Sequence, residues 1–65
     1  EETFKVLRIF LGDKDREIRS SAARAFGILG SKNGINVLKQ RLKKETDEIV
    51  AIEIKESLKK LGAEE

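Results

Sequence analysis

Apolar residues recur along this chain at helical spacing, in four blocks separated by breaks that glycines mark. In the first, about residues 2–11, Phe4, Leu7 and Leu11 form one stripe, and Val6, Ile9 and Phe10 widen it past half the circumference. Lys5 and Arg8 alone face firmly outward, which predicts a helix lying between two layers. The second block, about 15–29, turns Ile18, Ala22, Ala25, Phe26 and Leu29 inward. Ala23 and Gly27 sit beside that stripe, small enough for another helix to approach closely. Asp13 or Asp15 supplies its cap, Glu17 complements the dipole, and Gly30 suits a left-handed stop. The third, about 34–44, rests on Ile35, Leu38 and Leu42, with Val37 off the stripe and a wet side of Lys39, Gln40, Arg41, Lys43 and Lys44. The fourth, about 47–61, is capped by Thr46 or Asp47 and carries Val50, Ile54, Leu58 and Leu61 inward, with Gly62 as stop. Alternation over residues 49–54 is too short to make a strand inside that stronger helical period.

The four blocks are two copies of one unit. Residues 10–30 lie over 42–62, so Asp15 falls on Asp47, Ile18 on Val50, Ala22 on Ile54, Phe26 on Leu58, and Leu29-Gly30 on Leu61-Gly62. Residues 4–11 lie over 35–42, which sets Phe4 on Ile35, Val6 on Val37, Leu7 on Leu38 and Leu11 on Leu42. One extra loop residue in the second copy accounts for the change of offset. A repeat of roughly 31–32 residues built of two helices is a helical hairpin that buries its faces by stacking on neighbours. The fold class is therefore all-α: an α-α superhelix of two repeats, with four antiparallel helices in one domain, residues 1–65.

The run Asp13-Lys-Asp15-Arg-Glu-Ile18-Arg19-Ser-Ser-Ala22-Ala23-Arg24-Ala25-Phe26-Gly27-Ile28-Leu29-Gly30 resembles the short HEAT-like repeats of the phycobilisome-lyase type. Their pattern passes from Asp through Val-Arg into an Ala-rich helix closing with Leu-Gly. Ile35-x-Val37-Leu38-x-x-x-Leu42 is similar to that family's next helix, so the resemblance covers nearly the whole chain. It implies that Asp15 and Arg19 hold adjacent repeats together. The second copy keeps Asp47, but Ala51 stands in place of the Arg and bulky Ile52 and Ile54 replace small residues, so packing there should differ.

Composition narrows the chemistry. Sixty-five residues allow a single small core, worth roughly 3–5 kcal/mol, so regular packing, self-association or further repeats must add to it. There is no Cys, His or Tyr, which removes thiolate metal sites, the commonest transition-metal ligand and the usual nucleophile–base pairs. The expectation is no enzyme and no cofactor. The carboxylates Glu53 and Glu56, and the group Glu45, Asp47 and Glu48, lie among lysines as on salt-bridged solvent faces. Bilin-lyase and metal-dependent hydroxylase activities of HEAT-like proteins are not carried over, the second because no His is present.

Charge is nearly balanced at +2, with both signs interspersed. Apolar runs reach only three residues, so no membrane span is expected, nor a signal peptide. With no Cys, a cytoplasmic setting is expected. Lys39, Arg41, Lys43 and Lys44 form a basic cluster that offers an alternative reading, accessory nucleic-acid binding. Against it, Phe4, Phe10 and Phe26 all sit on apolar stripes rather than among the cations, and acidic residues follow at once. The leading reading is a protein-interaction or scaffold module, its partner another protein or a second copy. Ile49 and Ile52 point away from the inward stripe of their helix, and neither end of the chain looks capped. Phe4, Phe10, Ile49 and Ile52 are the expected association residues.

Overall fold

The computed structural model describes residues 2–63 and contains four helices: α1 (Glu2–Phe10), α2 (Arg16–Leu29), α3 (Gly34–Lys44) and α4 (Glu48–Lys60). The second and fourth start by the same device. The Asp15 carboxylate accepts from the Glu17 N–H at 2.9 Å, and Asp13 Oδ1 accepts from Asp15 N at 2.8 Å. One repeat later Asp47 accepts from Ile49 N at 2.9 Å and Val50 N at 3.3 Å, while Glu45 Oε2 accepts from Asp47 N at 3.0 Å. Each short acid thus satisfies N–H groups that a first helical turn leaves free. At the other end of α2, Gly30 turns left-handed (φ 75°) and returns its N–H to the Phe26 carbonyl, a conformation that costs glycine nothing.

Two hairpins result, α1–α2 and α3–α4, and they stack chiefly through α2 against α4. The core between them is Phe26, Leu11, Leu38, Val50 and Ile54, with Ala22, Ala23, Leu58 and Leu61. Ala23 belongs to this core rather than beside it, because it lies under α4. The α2–α4 approach is close enough that a Cβ on Gly27 would stand 2.8 Å from Ser57 Oγ and 3.2 Å from Ser57 Cα. The buried Ser57 hydroxyl donates to the Ala23 carbonyl and so keeps a polar group inside without a penalty. Gly27→Ala is expected to push the hairpins apart and cost about 1–3 kcal/mol, seen as a lower urea midpoint; an unchanged midpoint would show that α2 and α4 are not in this contact.

Two expectations about faces need correction. Ile18 and Leu29, placed on the inward stripe, are each 38% exposed, because α4 covers only the other flank of α2. The first helix does not lie between two layers. It packs chiefly on α2, has no fully buried residue, and leaves Val6, Ile9 and Phe10 exposed.

Candidate interaction surfaces

Three arginines of α2 reach across to acids of the second hairpin. Arg19 makes a forked pair with Glu45, Nε to Oε1 and Nη2 to Oε2 both at 3.0 Å, and its Nη1 donates to the Asp13 carbonyl at 2.8 Å. The Glu45 side chain is fully buried, and Arg41 Nε lies 3.3 Å from its Oε1 without the alignment of a hydrogen bond. Arg16 pairs with Asp47 at 3.0 Å and Arg24 with Glu53 at 3.0 Å, both nearer the solvent. Burial pushes the Glu45 carboxyl up, but the Arg19 hydrogen bonds, the Asp47 N–H and the charges of Arg19 and Arg41 together hold it below its ordinary value. The hydrogen bond from Arg16 does the same for Asp47, against a smaller opposing effect of burial, and that from Arg24 for Glu53. Forked pairs of this kind constrain angle as well as distance, so the seam sets how one hairpin sits on the next.

Of the three residues implicated in joining the repeats, the structure turns Arg19 and Asp47 across the seam and uses Asp15 to cap its own helix. Glu45, Arg16 and Ser57 were not singled out from the sequence for this seam. The offset of the two copies carries a signal for Glu45: it falls on Asp13, and both acids accept the N–H of the capping aspartate two residues on.

The four expected association residues do not share one patch. Phe4 is half-buried, with its ring edge-on to Phe26 at a centroid distance of 5.6 Å and 81° between planes. It works in the core. Phe10 is exposed on α1. Ile49 and Ile52 are exposed on α4, where Ile49 helps line a shallow groove of about 300 Å³ with Arg16, Ser20 and Arg24 of α2. Phe10 has different company. Val6 and Phe10 of α1, with Ile18 and Leu29 of α2, occupy the positions that Val37, Arg41, Val50 and Leu61 hold in the second hairpin. There Val50 and Leu61 are 0% and 4% exposed. The four counterparts in the first hairpin are left 38–43% exposed.

The basic cluster divides as well. Lys39 and Lys43 line a groove between α3 and α4, whereas Arg41 and Lys44 line another beside Arg8 and Gly12. Among the described residues no three His, Cys, Asp or Glu side chains gather as a metal site would need, and no helix is long and apolar enough to cross a membrane.

Comparison with known proteins agrees with the stacking. The family model described as HEAT repeats matches residues 1–59. Comparisons with curated proteins and with solved structures each found no match. HEAT repeats are generally non-enzymatic and commonly mediate protein–protein interaction or scaffolding. A pair of helical hairpins, stacked helix on helix in the same order, is the arrangement such a model describes, and this chain belongs to the HEAT-repeat family.

Proposed function

We propose that this chain is a non-catalytic scaffold module that self-associates in the cytoplasm, using the open edge of its first hairpin. The observation that carries the reading is the contrast between equivalent positions: Ile18 and Leu29 stand open where Val50 and Leu61 are enclosed. Between them on α2, at helical spacing, lie Ser21 and Ala25, and α1 adds the exposed Val6 and Phe10. Two copies meeting edge to edge through a two-fold axis would cover the strip on both, as isologous contacts do. The run Asp13 to Gly30 supports placing the chain among short repeats of the phycobilisome-lyase type, with Arg19 and Asp47 as the residues joining its units.

Sedimentation equilibrium over a wide concentration range tests the reading. The parent chain should form a dimer, and Phe10→Glu with Ile18→Glu should give a folded monomer. A parent chain that stays monomeric throughout would overturn self-association. If instead Ile49→Glu with Ile52→Glu abolishes the dimer, the interface lies on α4.

A further inference from the structure

The opposite edge of the molecule has a different character. Between α3 and α4 runs a groove of about 540 Å³ whose floor is Leu42, Leu58 and Ala63. Four lysines line it: Lys39 and Lys43 on α3, Lys55 and Lys59 on α4, each pair one helical turn apart. Among the described residues, no acidic side chain lines the groove and none of the four lysines forms an ion pair. Two rows of like charge along an apolar trough attract an occupant that is apolar beneath and negative on both flanks.

Equivalent positions say what this edge does not accept. Lys55 and Lys59 fall where α2 has Ala23 and Gly27, the two residues over which α4 settles. A further repeat packed as α4 packs on α2 would have to displace both lysine side chains and bury their charges. Glu48 and Ala51, in turn, fall where α2 has the seam residues Arg16 and Arg19. Stacking of a further repeat in the α2–α4 geometry is therefore disfavoured at this edge. A helix can still lie farther out, on the aliphatic stems of the lysines with its apolar side chains pointing down between them.

From the charge of the rim and the apolar floor, we infer that the α3–α4 groove binds an acidic amphipathic helix of another protein, presenting leucine-like side chains to Leu42, Leu58 and Ala63 and carboxylates to the two lysine rows. A second copy of this chain fits less well. Its exposed apolar face on α1 is flanked by Lys5 and Arg8; on α4, Glu53 beside Ile49 and Ile52 is already paired with Arg24, and the helix ends in Lys59 and Lys60. A polynucleotide would meet the charge but leave the apolar floor without stacking aromatics. The inference is independent of the edge-to-edge pairing proposed above, which uses α1 and α2.

The test is fluorescence anisotropy with a labelled synthetic helix of roughly 18 residues, five turns, bearing leucines along one face and glutamates on both flanks. Wild-type chain should bind it, and Phe10→Glu chain should bind it equally well. Lys55→Glu with Lys59→Glu should weaken binding by about tenfold or more, with the helical circular dichroism unchanged. A companion peptide with lysines replacing the glutamates should bind that variant better than it binds wild type. The inference is overturned if wild type does not bind the acidic helix, or if the double variant binds it as tightly. It is also overturned if a sequence-scrambled peptide of the same composition, or a single-stranded oligonucleotide, binds as well.

Discussion

Phe26→Ala is expected to leave the chain largely unfolded. Phe26 is completely enclosed, meets Phe4 edge-on, and has the backbone of Gly34 against its ring. Removing a buried phenyl ring loses its transfer energy and opens a cavity, about 3–5 kcal/mol together. A core of this size supplies roughly the same amount in total. Loss of helical circular dichroism at neutral pH in the variant, with cooperative urea unfolding retained in the parent, checks this. Phe26→Leu, which keeps more of the volume, should remain folded with a lower midpoint. If Phe26→Ala unfolds with the parent's midpoint, the site between α1, α2 and α3 is not where the core lies.

Arg19→Ala should have the next largest effect, about 3 kcal/mol, at the lower end of the range for breaking a buried ion pair. Arg19 is the better placed of two cations that face the fully buried Glu45 carboxylate; Arg41 remains but is poorly aligned. The loss should depend on pH in a defined direction. In the parent the folded Glu45 carboxyl is held below its ordinary value, so its contribution is fully present above the unfolded pKa of about 4.3 and disappears as pH falls through the lower folded value. Asp47 and Glu53, also held low by arginines, act in the same sense. Without Arg19, only the Asp47 N–H and Arg41 remain to offset burial at Glu45, so acid costs the variant less than it costs the parent. The gap in stability between parent and variant should therefore narrow as pH drops below about 4.3. Urea unfolding at a series of pH values reads this directly. A gap that does not change with pH would mean that Arg19 contributes by packing alone. Replacing both partners by methionine should recover part of the loss: no buried carboxylate is then left alone, while Arg41 and the Asp47 N–H give up an acceptor.

The strips on the two edges show how far equivalence between repeats can be carried. Ile18 and Val50 hold the same position in their helices, as do Leu29 and Leu61, yet one pair is exposed and the other enclosed. Ala23 and Gly27 receive a helix, while Lys55 and Lys59 in the same positions line an open groove. The stacked pair therefore has an apolar strip at one open edge and a lysine-rimmed groove at the other.

Much of this architecture was legible before any coordinates. The spacing of Leu38, Leu42, Val50, Ile54 and Leu58 sets two helices and their inward faces, because side chains three and four residues apart share a side. Asp15, Asp47, Gly30 and Gly62 mark ends through chemistry confined to one turn, which neighbours barely alter. The offset between the copies also told that the hairpins are alike and must stack. Only the tertiary structure decided which flank of each helix is covered. Periodicity gives the direction in which Ile18 or Ala23 points, but its burial depends on whether another helix lies there. The forked Arg19–Glu45 pair and the Ser57–Ala23 bond join residues far apart in the chain. Their partners are chosen by how α4 comes down on α2, at a distance no local pattern encodes.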